Sequence, residues 1–286
     1  KWPLKTLVKD FKYFRDSSFY LLTKEKTAEK PLVRLEKEGA PTNYDRPVCF
    51  FCSYDSENII RENVYYYLDK LVRAGFDIVF ISSSDTIADA DWGRLSECCI
   101  KIINRENRGY DFYGWKTGIE KYPQYRSHPA LLLANDSVLG PLFDIRDIIS
   151  KLENCDADII GMTNCFHFHS HLQSYFLYCK KAVVLSDEFL SFFQEINALE
   201  LKIAIIRKYE VGFSRTLSHR FRIAALYDLE HVLAHVSYHK KPMKWIKPTF
   251  HLWKPLIAEF KFPFLKKSLI TRMGVSVEEI SKVLTE

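Results

Sequence analysis

One apolar run that stops abruptly at polar residues constrains the fold of this chain most. Residues 131–142 read LLLANDSVLGPL, so four apolar residues lead directly into Asn135, Asp136 and Ser137. A short apolar run without polar alternation predicts a strand that is buried on both faces, as in a parallel sheet. Open α/β sheets bind ligands at the carboxyl ends of their strands. The sequence therefore predicts that Asp136 lies at a ligand site.

The surrounding sequence alternates between strand and helix patterns. Strands are predicted at 48–53, 77–82, 99–104, 130–134 and 158–162. A helix is predicted between the first two strands, and Gly75 ends it. This alternation predicts an α/β fold with a mostly parallel sheet flanked by helices. The turn after the first strand reads SYDSEN, so the GxGxxG of dinucleotide-binding folds is absent, as is a Walker A loop.

The amino-terminal residues follow a different pattern. Apolar residues between Leu4 and Leu22 recur at helical spacing while lysines and Arg15 occupy other positions, which predicts a basic amphipathic helix. Residues 23–45 are polar and are broken by glycine, proline and asparagine, as in a linker. We expect a helical appendage and linker over 1–46 and one α/β domain over 47–286. The helix either packs on that domain or contacts a membrane or a neighbouring domain.

Cysteine usage and hydropathy indicate the compartment. The seven cysteines are odd in number and lie mostly in apolar segments, which favours reduced thiols in the cytoplasm. Cys49 and Cys52 form a CxxC, but no second CxxC completes a zinc site, so both are predicted to pack in the core. No apolar run approaches the roughly 18 residues needed to cross a bilayer. We expect a cytoplasmic protein, with the inner face of the plasma membrane as the alternative.

Positive charge is concentrated near the carboxyl terminus. Residues 240–272 contain nine Lys or Arg and one Glu, a net charge of +8, so the rest of the chain carries −3 of the total +5. Such a segment suits a diphosphate or a membrane surface, and it is also compatible with a solvated basic face. No nucleic-acid-binding motif accompanies it, which argues against a nucleic acid partner.

Two motifs carry a resemblance to a known family. The segment 131–142, with NRGYDFYGWKTGI at 107–119, resembles the rhamnan synthesis protein F family of bacterial polysaccharide glycosyltransferases. The resemblance covers roughly residues 47–276 and implies a GT-A-like fold. It implies an inverting enzyme that moves a sugar, rhamnose foremost, from a nucleoside diphosphate donor to a lipid-linked or surface polysaccharide such as an O-antigen. A galactofuranosyl or other sugar transferase, and a non-catalytic carbohydrate-binding domain of the same fold, stay open.

The resemblance assigns metal binding to Asp136. Its flanking residues are Asn135 and Ser137, so the usual paired-acid DxD is incomplete. One carboxylate still holds Mg²⁺ or Mn²⁺ when a substrate diphosphate and water complete the shell. His251 matches the late histidine that GT-A enzymes often use as a further metal ligand. The alternatives are an aspartate that caps its own turn and a histidine packed in the fold.

The resemblance assigns donor binding to residues at strand ends and in the basic segment. In enzymes that look like this, the donor-binding residues would be Tyr54, Asp55, Asp85, Arg108, Lys266 and Lys267. The strand-end residues would hold the nucleoside, Arg108 would contact the sugar or a phosphate, and the two lysines would neutralise the pyrophosphate. Each has an ordinary alternative, because aspartates form turns at strand ends and lysine pairs are commonly solvated.

Two carboxylates are assigned to catalysis by the same resemblance. Glu210 matches the acidic element where inverting GT-A enzymes place the general base that takes the acceptor hydroxyl proton. Asp111, in the turn that opens a predicted helix, is the second acid of the site and contacts sugar or phosphate. The alternatives are a first-turn helix acid for Glu210 and a helix cap for Asp111.

Acceptor or sugar contacts are assigned to His171 and Gln173, which lie on an HLQSYF segment similar to one in the family. The alternative is a metal site, because His167, His169 and His171 stand at alternate positions and would share one face of a strand.

Overall fold

The computed structural model describes residues 30–238 and 240–285. The strands of these residues are β1 (Val33–Glu38), β2 (Val48–Ser53), β3 (Asp77–Ser82), β4 (Lys101–Arg105), β5 (Ala130–Asn135), β6 (Val138–Leu139), β7 (Ile159–Cys165), β8 (His171–Leu172), β9 (Phe176–Lys180), β10 (Ile223–Tyr227) and β11 (Leu265–Lys266).

The α-helices are α1 (Glu62–Arg73), α2 (Asp89–Cys98), α3 (Tyr110–Lys121), α4 (Ile145–Asn154), α5 (Lys181–Val184), α6 (Asp187–Gln194), α7 (Lys202–Ile205), α8 (Val211–Leu217), α9 (Leu229–His235), α10 (Pro248–His251), α11 (Trp253–Ala258), α12 (Lys267–Thr271) and α13 (Val277–Thr285). Short 3-10 turns cover Pro123–Ser127 and Met243–Trp245, and a π turn covers Ile206–Glu210.

One large sheet organises the fold. Its strand order is β1-β4-β3-β2-β5-β9-β7-β10, with β8 beside β7. Strands β4, β3, β2 and β5 are mutually parallel, β9 runs antiparallel between β5 and β7, and β10 is parallel to β7. Only β1 and β9 oppose the common direction along this path of the described chain. The predicted α/β class with a mostly parallel sheet is confirmed.

Both faces of the sheet are covered because its central strands are apolar on both sides. Every residue of β2, β3 and β5 is buried. One core cluster joins the sheet to α1 and α4, and a second joins it to α3 and α6. Helices therefore flank the sheet on two sides, as the strand and helix alternation predicts.

Helix α3 lies unusually close to β2. A Cβ added to Gly114 would stand 2.6 Å from the Cys52 Sγ atom, and one added to Gly118 would stand 2.7 Å from the Phe50 ring. Glycine at these two positions removes the side chains that would hold helix and strand apart. The close approach brings the first turn of α3 to the carboxyl end of β2.

The observed bounds match several predictions and correct one. Strands β2 and β3 have the predicted bounds, and Cys49 and Cys52 are buried unpaired thiols. Residues 33–38, expected within a linker, instead form β1, which pairs antiparallel with β4. The sequence VRLEKE is largely exposed at the sheet edge, and only Val33 and Leu35 show the apolar alternation that marks a strand.

The predicted amphipathic helix between Leu4 and Leu22 lies outside the described residues, and the boundary at residue 47 stays a prediction. Over residues 30–238 and 240–285, no helix has the length and apolar character required to cross a bilayer.

Candidate active site

The turn after β5 places Asp136 at the carboxyl edge of the sheet. The Asn135 side-chain oxygen accepts hydrogen bonds from the Ser137 backbone N–H at 3.1 Å and from the Ser137 hydroxyl at 2.5 Å. Asn135 therefore closes the turn, and the alternative in which Asp136 caps it is wrong. The Asp136 N–H instead donates to the Cys52 carbonyl at 3.1 Å, and the Asp136 carboxylate accepts from the Ser53 hydroxyl at 3.0 Å.

A two-stranded ribbon brings both predicted lysines to this turn. Strand β6 pairs antiparallel with β11, which sets Val138 opposite Lys266. The Lys266 ammonium donates to the Ser137 hydroxyl at 2.7 Å. The Lys267 N–H donates to the Ser137 carbonyl at 3.1 Å, and the Lys267 Nζ atom lies 3.4 Å from Asp136 Oδ2. The basic segment thus meets the acid at the end of β5.

Asp111 faces the same turn from the start of α3. The N-cap of this helix is Gly109, whose φ of 70° is left-handed, and no side chain caps the helix. The helix-cap alternative for Asp111 is therefore wrong. Its carboxylate instead accepts a hydrogen bond from the Asn135 amide at 3.1 Å.

Glu210 reaches the site from a helix with an irregular turn. The expectation of a residue at a free helix N-terminus is wrong, because α7, the π turn and α8 form one helical run and Glu210 ends the π turn. Such turns recur at functional sites. The Glu210 carboxylate accepts from the Ser174 N–H at 2.8 Å. The Ser174 carbonyl in turn accepts a hydrogen bond from the Asn135 amide at 3.2 Å. Asn135 therefore links the surroundings of Glu210 and Asp111.

We call Asp111, Asp136, Glu210, Lys266 and Lys267 the carboxylate–lysine cluster. Burial lowers the pKa of Lys266 to about 8, although the charges of Glu210, Asp111 and Asp136 act to raise it. Burial, and then the charge of Asp136, raise the pKa of Asp111 to about 6. Burial also raises the pKa of Asp136, against the opposing effect of Lys267. These mutual effects place three acids and two lysines in one electrostatic environment.

Other predicted donor residues lie at strand ends with partners of their own. Tyr54 follows Ser53 and is exposed. The Asp55 carboxylate accepts from the Arg61 Nε at 2.8 Å. Burial acts to raise the pKa of Asp55, but hydrogen bonds from Arg61 and from backbone N–H groups outweigh it and lower the pKa. The Asp85 carboxylate lies 3.2 Å from Arg34. The Tyr54 backbone N–H hydrogen-bonds to Asp136 and acts to lower its pKa, so Tyr54 adjoins the carboxylate–lysine cluster.

The turn that carries Arg108 is shaped by a residue that the sequence analysis missed. Buried Arg105 donates to the carbonyls of Glu106, Arg108 and Tyr110, each at 2.7 Å. The Arg108 guanidinium lies 3.8 Å from the Glu106 carboxylate. The sequence signal for this role was an arginine at the end of an apolar strand, because a buried guanidinium needs several hydrogen-bond acceptors. Asn135 and Ser174 were missed because their roles depend on contacts across the fold.

The predicted acceptor residues are held within the fold. His171 is buried, and its Nδ1 lies 2.7 Å from the His169 carbonyl. The Gln173 side-chain oxygen accepts from the Thr163 hydroxyl at 2.8 Å. Of the three alternating histidines, only His171 lies in a strand. In the described part of the chain, no three His, Cys, Asp or Glu residues come together as a metal site.

His251 stands in a basic environment. Its Nδ1 accepts from the Lys247 N–H at 2.8 Å, and its Nε2 lies 2.9 Å from the Lys241 ammonium. Burial, Lys241 and Lys247 lower the pKa of His251 to about 4. Both ring nitrogens are engaged in this arrangement, and the predicted metal role of His251 stays a prediction.

Comparison with known proteins gives a family and distant relatives. Residues 78–285 match the family model of rhamnan synthesis protein F. The uncharacterized protein y4gN of Sinorhizobium fredii is 33% identical over 178 residues, which are 60% of this chain and 46% of that protein. Virulence protein VirA of Vibrio anguillarum is 22% identical over 279 residues, or 84% of each chain. The chain spans less than half of the Sinorhizobium protein.

Solved structures show only weak overall likeness. The mannosyltransferase PcManGT from Pyrobaculum calidifontis, in complex with GDP-Man and Mn²⁺, has 11% identity and a TM-score of 0.40, covering 96% of this chain and 75% of that chain. Galactosyltransferase LgtC, in complex with donor and acceptor sugar analogs, has 12% identity and a TM-score of 0.30, covering 70% and 84%. Likeness at these scores does not bear on the activity of this chain.

Proposed function

This chain belongs to the rhamnan synthesis protein F family, and we propose that it is an inverting glycosyltransferase. The donor is a nucleoside diphosphate sugar, rhamnose being favoured by the family name. The acceptor is a lipid-linked or growing bacterial surface polysaccharide. The carboxylate–lysine cluster at the carboxyl edge of the sheet is the observation that carries this proposal.

The cluster has the charges that sugar transfer from a diphosphate requires. Lys267 lies 3.4 Å from Asp136, and Lys266 is bonded to Ser137 of the same turn at 2.7 Å. Both ammonium groups are therefore fixed beside one acid at a position where α/β sheets bind ligands. Held in this way, they would stabilise the negative charge that builds up on a departing diphosphate.

Glu210 would supply the base. Its carboxylate takes the proton from an acceptor hydroxyl while that oxygen attacks the anomeric carbon from the face opposite the leaving group. The new glycosidic bond forms as the bond from the anomeric carbon to the diphosphate oxygen breaks. The electron pair of that bond leaves with the nucleoside diphosphate, whose charge Lys266 and Lys267 balance. Attack from the opposite face inverts the anomeric configuration.

A divalent cation would fit the cluster only together with substrate. Asp136 and Asp111 offer hard carboxylate oxygens, but the described residues supply no third His, Cys, Asp or Glu ligand. Mg²⁺ is commonly held by one or two carboxylates with substrate phosphates and water. When bound there, Mg²⁺ or Mn²⁺ would add positive charge at the diphosphate. His251 is the weaker candidate, because Lys241 and Lys247 engage its ring nitrogens.

The strand-end residues Tyr54, Asp55 and Asp85 would then contact the nucleoside, and Arg108 the sugar. The lipid-linked acceptor would bring the enzyme to the cytoplasmic face of the plasma membrane, with the amino-terminal helix as a candidate contact. The roles of Tyr54, Asp55, Asp85 and Arg108 rest on the family resemblance and are supported by the positions of these residues after β2, β3 and β4, at the carboxyl ends of parallel strands.

The test is nucleotide release from a panel of nucleoside diphosphate sugars that varies base and sugar, with and without an oligorhamnoside acceptor. We expect acceptor-dependent release of nucleoside diphosphate with at least one donor. Binding of a donor without release in the whole panel would instead indicate a non-catalytic carbohydrate-binding domain. Preference for a galactofuranose donor would replace rhamnose and keep the reaction class.

A further inference from the structure

The loop between β7 and β8 presents an aromatic side chain to solvent in an unusual conformation. Phe168 is 41% exposed, and its φ is 71°. A bulky residue in the left-handed region is a genuine outlier, and such residues cluster at functional sites. The combination of backbone strain and solvent exposure at this aromatic residue therefore suggests a ligand contact.

Neighbouring rings and one cation extend this surface. The His167 ring lies 3.9 Å from the Phe168 ring and 5.1 Å from the Trp245 ring, measured between centroids. The Arg207 guanidinium stands 5.2 Å from the Phe168 ring centroid. We call His167, Phe168, Arg207 and Trp245 the aromatic platform.

A buried cysteine connects the two chain segments that carry the aromatic rings of the platform. The Cys165 thiol accepts from the His167 N–H at 3.4 Å and donates to the Ile246 carbonyl at 3.5 Å. Because Ile246 follows Trp245 directly, this thiol fixes the tryptophan beside the loop. The aromatic rings of the platform, which come from two chain segments, are consequently held together before any ligand arrives, which lowers the entropy lost on binding.

The platform lies next to the proposed general base. Arg207 and Glu210 belong to the same π turn. The charge of Glu210 also acts on the Cys165 thiol and raises its pKa, although burial contributes more. Leu172, just after the loop, donates its N–H to Ser214 of α8 at 3.0 Å, which ties the loop to the helix that carries Glu210. A molecule on the platform would therefore extend toward Glu210.

We propose that the aromatic platform binds the acceptor glycan, with a sugar ring stacked on Phe168 and Trp245 and its hydroxyls bonded to Arg207. The proposal deepens the proposed function and rests on it. Aromatic faces bind the apolar face of a sugar ring, and a guanidinium offers several donors to its hydroxyls. His171 and Gln173, expected from the sequence to bind the acceptor, are bonded within the fold, whereas Phe168 is open to solvent.

The kinetic test uses Phe168→Ala and Trp245→Ala, with Phe168→Tyr as the conservative variant. Each alanine variant should raise the KM for an oligorhamnoside acceptor about 3- to 10-fold while leaving the nucleoside diphosphate affinity unchanged. Phe168→Tyr should restore the acceptor KM. The matched control is Tyr44→Ala, which removes an aromatic of similar exposure that packs on His128 before β2. An unchanged acceptor KM in both alanine variants would overturn the proposal.

A binding measurement separates this inference from the activity itself. Saturation-transfer NMR with the oligorhamnoside, without any donor, should show contact in the wild-type chain and a weaker signal in Phe168→Ala. That result supports the platform even if no donor is turned over, in which case only the proposed reaction fails. Normal transfer with undiminished glycan binding in both variants overturns the platform alone. Lost binding to anionic vesicles with an unchanged acceptor KM would assign the surface to a membrane and also overturn it.

Discussion

The Lys267 ammonium lies 3.4 Å from the Asp136 carboxylate, although 130 residues separate them in the chain. The contact exists because β6, just after Asp136, pairs with β11, just before Lys267. The acid at the end of β5 therefore meets a cation within the folded chain itself.

Removing the charge of Asp136 should abolish transfer. Asp136→Asn keeps an oxygen that can accept from the Ser53 hydroxyl, so the turn should persist. We expect transfer to fall on the order of 100-fold or more, because the carboxylate that would hold the divalent cation and that positions the Lys267 ammonium at 3.4 Å is lost. The measurement is nucleotide release, with Asp69→Asn on α1 as the matched control. Wild-type turnover in Asp136→Asn would reject the site, whereas full activity in excess chelator would reject only the metal.

Lys266 and Lys267 should contribute more to the binding of a nucleoside diphosphate than to the binding of the nucleoside alone. Replacing Lys266 and Lys267 together by alanine should weaken nucleoside diphosphate binding about 10-fold or more and nucleoside binding far less. The control is Lys254→Ala with Lys261→Ala, which removes the same charge from the surface. Titration calorimetry gives both affinities. Equal losses for the two ligands would show that the lysines do not contact the diphosphate.

Diphosphate affinity should also depend on pH through Lys266. The pKa of this ammonium is lowered to about 8, so it is charged below that pH and neutral above it. Wild-type affinity for nucleoside diphosphate should therefore fall as the pH rises through about 8, whereas Lys266→Ala should lack this step. A step of equal size in Lys266→Ala would assign it to another group.

Glu210→Gln should separate chemistry from donor binding. Glutamine keeps the oxygen that accepts from the Ser174 N–H, so the π turn should persist. We expect transfer to fall roughly 100-fold or more at nearly constant donor affinity, because a general base acts on the acceptor hydroxyl. Glu188→Gln on α6 is the control. A variant with normal transfer would move the base role to Asp111.

Local patterns predict the parts of this site that lie on strands and miss the parts that depend on distant contacts. The bounds of β2 and β3 follow from apolar runs, and the carboxyl-edge position of Asp136 follows from the same reasoning. The π turn at Glu210 leaves no signal in helical periodicity, because one inserted residue barely disturbs the apolar pattern. Strand β1 was missed because its apolar alternation is limited to Val33 and Leu35 and because the other four residues are polar and exposed at the edge.

The helix that carries Asp111 should tolerate no larger residue at its contact with β2. Gly114→Ala would set a Cβ 2.6 Å from the Cys52 Sγ atom. We expect a loss of about 1–3 kcal/mol in the free energy of unfolding, because the buried contact is overpacked. Gly93→Ala is the matched control within α2, where a Cβ meets open space, and it should stabilise by roughly 0.5–1 kcal/mol. Denaturant unfolding measures both, and equal effects would contradict the close approach.

At a pH where Asp111 is ionised, its buried charge should lower the free energy of unfolding. Its folded pKa is raised from an ordinary 3.8 to about 6, so between these values the folded state binds more protons than the unfolded state. Its contribution to stability is therefore complete below pH 3.8 and is lost as the pH rises through about 6. Asp111→Asn should match wild-type stability near pH 4 and exceed it by on the order of 1–3 kcal/mol at pH 7, while transfer falls. Denaturant unfolding at several pH values tests this, with Asp69→Asn as control. A stability difference that does not change with pH would show that the environment of Asp111 does not disfavour its charge.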